Sequence, residues 1–546
     1  MLSASSRLLL CGLWLVVVCC GQVRAFSSVN VPLDNWSYAA LDKLEGFGLI
    51  QSALHGTRPF SRLEMARLIH EAQVAIRMNE IRLPPLAAEL LQDLEREFRE
   101  ELALTGKRTA ILQKSFLKPL KEVELRYVYS QGEPRQFLNV RKGEPGIRQY
   151  PDSTQGIRAT EGTPLVANNE GLVYSEQSNV SLRFSTMLGY RDFFSAYLEP
   201  VFLARQHTVG FDGTGSKVDL LKGYGMLTFW NIQLEGGRDS MWWGQGAHGD
   251  LLLTNNAYPL DLVKFSNPEP TLLPWLFRYL GPFKYTAFVA PLTGYENPAD
   301  PWLGGLRFNF KPHPLFEMGL STTFMFNGEG MPRFNPFDLF KFFVGRSPLY
   351  ANQLAAFDLR LRLPFLRDAQ FYLEYGGEDS GGWSPQYPSE VILEDNAWLF
   401  GIHFPRLTCD GRADLRVEYT WNAHRIDETP AMWYAHSEYR SGYTYNNLIM
   451  GHHLGPDAED LFARVTYYLT KRVQLGLDYD RMVRGKTLSP VEERVNQYGA
   501  DLTLNLCRRD LMLITRYAFQ TVDNYNMQLG NNRGNSLFET VLKLQF

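Results

Sequence analysis

Cysteine is scarce in this chain, with 5 among 546 residues, so a disulfide framework does not organise it. Beyond the first 25 residues there is no long apolar run, and the mean hydropathy is −0.24, which excludes a polytopic helical membrane protein. No basic excess is present. With 55 basic and 59 acidic side chains the net charge is −4, so the chain lacks the footprint of a nucleic-acid binder. Catalytic signatures are also missing. There is no His-Glu-x-x-His and no Gly-x-Ser-x-Gly, and Gly213-Thr-Gly215-Ser-Lys217 lacks the Gly-Lys-Ser/Thr end of a phosphate loop and reads as a hairpin turn. What remains is ample: 45% hydrophobic residues exclude disorder, and a 13% aromatic fraction suits a protein that faces an interface. At about 150 residues per domain the length fits three or four domains, or one large barrel.

The first residues read as an address. Arg7 gives a positive start, Leu8 to Cys20 is uncharged and apolar, and Val23-Arg24-Ala25 forms a cleavage site before Phe26. These are the parts of a secretory signal peptide over residues 1–25. The apolar run is shorter than the roughly 20 residues a spanning helix needs. Cleavage removes Cys11, Cys19 and Cys20 and leaves Cys409 and Cys507, which read as unpaired residues on strands. An exported chain with no spanning helix is either soluble outside the inner membrane or a barrel in the outer membrane.

Residues 26–118 read as a small helical bundle. Trp36, Ala40, Leu41, Leu44 and Phe47 recur at helical spacing, and Gly46 and Gly48 mark a stop. Ser61 with Glu64 three residues on has the pattern of a capping box, followed by the apolar face Leu63, Ala66, Leu68, Ile69 and Ala72. Pro84-Pro85 breaks the chain before a third helix carrying Leu86, Leu90, Leu91, Leu94, Phe98 and Leu102. Basic and acidic residues balance over this stretch, so it is an amphipathic bundle and not a basic arm.

From residue 119 to 546 the period changes to two. Ala413, Leu415, Val417, Tyr419 and Trp421 alternate with Arg412, Asp414, Arg416, Glu418 and Thr420. Ala463 to Thr470 and Val473 to Tyr479 repeat the pattern around a tight turn at Lys471. Two features place these strands in a membrane. Their polar face is ionic, carrying Arg183, Arg307, Arg360, Arg362, Arg416, Arg464 and Arg472, as suits lipid outside and water within. The last strand also ends on an aromatic, with Phe538, Leu542, Leu544 and Phe546 on one face and Glu539, Lys543 and Gln545 on the other. A terminal Phe in that position resembles the outer-membrane assembly signal of barrel proteins. The fold expected is therefore all-β: a closed antiparallel transmembrane β-barrel of about 18 strands with a small N-terminal α-helical bundle. Pro200, inside a strand-like run, predicts a bulge or an edge.

Three clusters interrupt the alternation. The first runs from Gly236 through Arg238, Asp239, Trp242, Trp243 and Gln245 to Leu251-Leu-Leu-Thr-Asn255-Asn256-Ala257. The second is Glu374-Tyr-Gly-Gly-Glu378-Asp379-Ser380. The third runs from Tyr439 through Tyr443 and Tyr445 to Gly451-His452-His453-Leu-Gly-Pro-Asp457. Flat aromatic platforms beside fork-shaped acceptors and donors are the chemistry of a sugar site. The same residues also make turns and membrane girdles. His452 and His453 beside Asp457 do not read as a metal site, because adjacent residues on a strand point to opposite faces, and no cofactor is implied.

These clusters resemble the capsule assembly (Wzi-type) outer-membrane family. The blocks that carry the likeness are Arg-Asp-Ser-Met-Trp-Trp-Gly-Gln-Gly from Arg238, Leu-Leu-Thr-Asn-Asn-Ala ending at Ala257, Gly377-Glu378-Asp379, and Tyr439 through Asp457. Gln245 stands where that family's Trp-Trp-Gly-Pro-Gly block has Pro. The resemblance implies an 18-stranded barrel with periplasmic helices. It implies a surface lectin that helps attach capsular or extracellular polysaccharide to a Gram-negative cell. Its partners would be that polysaccharide, outer-membrane lipid, the barrel assembly machinery and components of polysaccharide export. By motif position the candidate glycan residues are Arg238, Asp239, Trp242, Trp243, Asn255, Asn256, Glu378, Asp379, Tyr443, Tyr445, His452 and Asp457. A fainter likeness, Asp34-Asn-Trp36 through Phe60-Ser-Arg-Leu-Glu64-Met-Ala66, is to a single S-layer-homology-type repeat, and a structural helical cap rather than an independent wall-binding module is the expectation.

Two other classes fit parts of the pattern. A porin-like channel with an Arg-lined lumen would select ions by sign. A glycoside hydrolase would need two carboxyl groups facing each other across roughly 5 to 9.5 Å. Glu374, Glu378 and Asp379 are the candidates for such a pair, but Glu378 and Asp379 are adjacent and diverge on a strand, so a non-enzymatic barrel is the expectation.

Overall fold

The computed structural model describes residues 25–105, 115–132, 134–136, 139–140, 148–149, 160–209, 215–294, 296–334, 351–378, 396–423, 433–436, 438–487, 489–506 and 509–546. The segment read as a signal peptide lies outside them up to residue 24, as do Asp379 and Cys507. Cys409 is exposed and unpaired among the described residues, and it lies on a turn rather than on a strand as expected.

Among the described residues four helices come first: α1 Ser37–Gly46, α2 Arg62–Asn79, α3 Pro85–Glu97 and α4 Arg99–Thr105. The Ser61 hydroxyl caps α2, accepting from the Glu64 N–H at 3.1 Å, which satisfies one donor the helix start leaves free. The other half of the capping box is not made. Instead, the Glu64 carboxylate accepts from Lys284 on the barrel wall at 2.7 Å. Pro85 occupies the first turn of α3, where its missing N–H costs nothing. The third expected helix is two helices, kinked at Phe98, whose ring is fully buried 4.6 Å beneath the Arg62 guanidinium. Leu44, Phe60, Met65, Leu68, Ile69, Leu90 and Leu94 fill the core between the helices.

Eighteen antiparallel strands then close on themselves. In chain order they are β1 Phe116–Gln131, β2 Gln177–Tyr190, β3 Phe194–Arg205, β4 Ser216–Phe229, β5 Ile232–Asp239, β6 Leu260–Ser266 with its continuation Thr271–Leu272, β7 Pro282–Pro291, β8 Trp302–His313 and β9 Phe316–Phe326. The second half is β10 Asn352–Leu363, β11 Ala369–Glu378, β12 Asn396–Phe404, β13 Ala413–Trp421, β14 Ala458–Thr470, β15 Val473–Arg484, β16 Glu493–Leu506, β17 Leu511–Asp523 and β18 Arg533–Gln545. Each strand pairs with its sequence neighbour. The ring shuts between β1 and β18, where Leu125 faces Leu542 and Tyr129 faces Phe538. Closure removes both sheet edges. The bulge expected at Pro200 is present as a register shift between Glu199 and Pro200 against β4.

The two faces of the wall differ as the alternation requires. Leu125, Tyr127, Leu182, Phe202, Leu320, Phe400, Tyr467, Leu477, Tyr498 and Phe519 are exposed on the outside. Inside, Glu124, Arg183, Arg307, Asp358, Glu374, Glu418 and Asp460 are buried. Water-seeking groups in the lumen and apolar groups outside are the arrangement of a transmembrane barrel.

The helical head covers the end of the barrel that carries the short turns. Its contacts run round the whole rim. Ala25 N–H donates to Trp230 O, Ser27 bonds Ser195, Lys43 reaches Pro405 O at 2.7 Å, Asp93 pairs with Arg509 at 2.9 Å, and Asp34 pairs with Lys543 at 2.7 Å.

Candidate functional site

The lumen is filled from both ends. From the head, Leu54 to Pro59 enters the barrel, and Thr57 and Arg58 form a short antiparallel ladder with Trp243 and Trp242. From the opposite end, the segment after β5 folds inward and turns at Gly244, which has φ +135°. A Cβ there would stand 2.1 Å from Asp250 and 2.2 Å from Glu374, so only glycine fits.

Carboxylates on the inner wall hold this plug by its backbone N–H groups. Glu374 accepts from the N–H of Gln245, Gly246 and Leu251. Glu418 accepts from Ala247 and His248, and Glu317 from His55 and Gly56. A buried loop carries many polar groups, and a polar lumen is where they find partners. Asp250 in the plug is fully buried, and burial, with the neighbouring Glu374 carboxylate, pushes its carboxyl well above the usual range.

The three sequence clusters meet in this plug. Thr254 N–H donates to Met450 O at 2.8 Å, Asn256 Nδ2 to Ile449 O at 3.0 Å, and Tyr434 OH to Leu251 O at 2.6 Å. Glu378 accepts from the N–H of Tyr434 at 2.6 Å, and Tyr434, just before the third cluster, stacks on Tyr443 and accepts from the His452 N–H, so it links the second cluster to the third. Most of the candidate glycan residues are already engaged by other parts of the protein. Asp239 accepts from Asn30 Nδ2 at 2.7 Å. Trp242 lies 5.1 Å under Arg58, and Trp243 meets Phe288 edge-on. Asn255 donates to Glu170, and Tyr443 OH bonds Thr323 while its ring stacks on Tyr434. Tyr445 is buried in the short ladder with Leu448. The His452 ring shares a hydrogen bond with Thr420 at 3.2 Å, and Asp457 accepts from the Thr487 N–H and hydroxyl. Arg238 is set apart, on the opposite face of β5, in a two-pronged pair with Asp261 at 2.8 Å.

The inner arginines are likewise engaged. Arg307 is 1% exposed and pairs with Asp358 at 2.8 Å. Arg360 donates to the Gln245 side chain and Arg362 to Ile50 O, while Arg183 and Arg416 stand by Glu124 and Asp42. Arg472 is on an exposed turn. A free ring of cations, as a selective pore needs, is not seen among the described residues.

Above the plug, at the end opposite the head, a cavity of about 530 Å³ remains. Gln131, Glu176, Arg484, Gln497, Gln520 and Asn535 line it, with Tyr525 capped by Arg533 at 3.8 Å. No motif marks these residues, because they lie on ordinary strands on both sides of the barrel seam, β1 and β15 to β18, and in the adjoining turns. The one signal they carry is an excess of Gln and Asn on the inward parity of β16 to β18.

The profile described as Capsule assembly protein Wzi matches residues 147–537. The chain belongs to this family. A protein from the cps region of Klebsiella pneumoniae, uncharacterised, is 32% identical over 178 residues, a stretch that spans 31% of this chain and 35% of that one. The structure of Wzi from Escherichia coli, described as an outer-membrane carbohydrate-binding β-barrel involved in group 1 capsule assembly, superposes with a TM-score of 0.67 at 18% identity. It covers 96% of this chain and 99% of that one. OprD from Pseudomonas aeruginosa gives a TM-score of 0.43 at 8% identity over 78% of this chain and 93% of its own. Family and wall chemistry together make the chain an outer-membrane β-barrel.

Proposed function

We propose that this chain is a non-enzymatic, lectin-like barrel that binds exported capsular or extracellular polysaccharide and anchors it at the cell surface. The observation that carries the reading is the 530 Å³ cavity above the plug. Its amides, arginines and one aromatic ring match the hydroxyls and C–H faces of sugars. In this reading the three sequence clusters build the floor and hold the cavity's shape, and the cavity lining touches glycan. The long loops then face outward and the helical head lies in the periplasm, since the short turns of such barrels are periplasmic. Phe546, 66% exposed at the head end, serves as the signal read by the barrel assembly machinery, and the head offers a face to components of polysaccharide export.

Binding of purified capsular polysaccharide to the refolded chain tests this. Native protein binds, Gln497→Ala with Arg533→Ala weakens binding at least tenfold, and polymer length is unchanged after incubation. In cells, deleting the gene releases polymer into the medium while synthesis continues. No binding by the folded native protein, together with unchanged surface retention, would sink the proposal, and shortened polymer would replace it with an enzymatic one.

A further inference from the structure

Two imidazoles and two carboxylates converge at one side of the cavity floor, from segments far apart in sequence. His248 comes from the plug, His453 from the third cluster, Asp460 from β14 and Asp480 from β15. His248 Nε2 lies 3.4 Å from Asp460 Oδ2 and 3.4 Å from Asp480 Oδ2. His453 Nε2 lies 4.0 Å from the same Asp460 oxygen. A ring nitrogen of His248, one of His453 and an oxygen of Asp460 all fall within 4.8 Å of one another. Bonds of about 2.0–2.2 Å to a central ion put donor atoms about 3.3 Å apart, so small inward shifts complete the set.

The polar atoms here are short of partners. Asp460 is 2% exposed, yet neither of its oxygens has a hydrogen bond among the described residues, and the same holds for His248 Nε2, His453 Nδ1 and Asp480 Oδ1. Buried carboxylates without hydrogen bonds are costly unless a cation joins them. The His248 ring is already fixed in place. It stacks on Phe462 at 3.8 Å with an interplanar angle of 5°, and Glu418 holds its backbone N–H at 2.9 Å. Prior orientation of ligands by their surroundings is typical of metal sites. The adjacent His452 reaches Asp460 at 4.0 Å, but its Nε2 is shared with Thr420. Of the His-His pair, His452 has both ring nitrogens engaged, by Thr420 and the Leu454 N–H, whereas His453 Nδ1 is buried without a hydrogen bond among the described residues. The plainer alternative is an imidazolium held between two carboxylates. Arg484, which also lines the cavity, adds positive charge that works against a cation.

We propose that His248, His453 and Asp460, with Asp480 as a fourth donor, bind a divalent transition-metal ion of the zinc class. Two neutral nitrogens and carboxylate oxygens are the donor set such ions prefer. The ion enters through the cavity, which His248, His453 and Asp480 line. It fastens the plug loop to the β14–β15 wall.

The test uses the full mature chain, refolded in detergent after chelator treatment, with Co²⁺ as the probe. The expected result is a saturable visible absorption band at one ion per chain, displaced by Zn²⁺. His453→Gln and Asp460→Asn each weaken binding at least tenfold, while exposed His313→Gln leaves it unchanged. Heat-modifiable gel migration reports whether each variant is folded. X-ray absorption of the native chain with Zn²⁺ needs no variant, and should show a nitrogen and oxygen shell with imidazole scattering. Absence of saturable binding by the native chain overturns the proposal, as does a shell without imidazole or full binding retained in folded His248→Gln/His453→Gln.

Discussion

Gln245 has no exposed surface, and every polar atom of its side chain is used. Its amide donates to Glu317 at 3.1 Å and Asp358 at 2.7 Å and accepts from Arg360 at 2.8 Å, while its backbone N–H goes to Glu374. Proline, the residue of the family's block here, supplies none of these donors. The sequence therefore displayed the departure but not its consequence, because the partners lie more than 70 residues away on three strands. Gln245→Ala should cost about 3 kcal/mol, the scale of hydrogen bonds to charged groups whose partners are left buried. Gln245→Glu should cost more, since a fourth carboxylate joins Glu317, Asp358 and Glu374, while Arg307 is already paired with Asp358 and Arg360 is the one cation bonded to residue 245. Urea midpoints of the detergent-solubilised barrel check the order. Equal midpoints for the two variants would contradict this account.

At the level of elements, the strands were legible and the plug was not. Period-two alternation with ionic inward positions follows directly from a wall between lipid and water, so each strand announces itself locally. The plug obeys no period. Its Gly, Trp, Asn and Asp look like a binding surface, and only the lumen carboxylates show why they are turned inward. In the sequence Glu418 is one more polar-face residue, Glu374 opens the second cluster, and nothing marks Glu317. The head segment Leu54 to Pro59 and the plug lie in series along the lumen, joined by the Thr57–Trp243 ladder. Two blocks in series predict a non-additive outcome in planar bilayers. The native chain should pass little steady current, as should a chain with Ala247–Asn255 replaced by a short glycine linker, or one beginning at residue 115. Combining both changes should give large, steady conductance. High conductance from the native chain would favour a channel over a closed barrel.

For the whole molecule, the question is what keeps the head on the barrel. The bundle's helices were legible from apolar spacing, whereas its docking was not, because the docking groups are single charged residues that look solvated in sequence. Glu45 shows the type. It is buried, pairs with His55 at 2.8 Å and accepts from Gln370 on β11 at 2.7 Å. Burial alone would raise its pKa, but His55, with Lys311 and Arg360 nearby, holds it well below the carboxylate range. Glu97 follows the same logic, with Arg62 at 2.7 Å and Lys121 of β1 at 3.3 Å outweighing burial. A carboxylate whose folded pKa is depressed contributes stability above its unfolded pKa of about 4.3, and loses it as the pH falls further through the folded value. Docking should thus be constant from neutral pH to about pH 5 and weaken below about pH 4. Closure of the barrel rests on backbone ladders that do not titrate. Hydrogen exchange, corrected for the intrinsic rate, should show α1 to α4 losing protection in acid while β1 to β18 keep theirs. Glu45→Gln should remove part of the pH dependence, because an amide can still donate and accept but no longer carries the charge that His55 stabilises. If the helices stay protected to pH 3, or if wall and head lose protection together, the head is not held by these carboxylates.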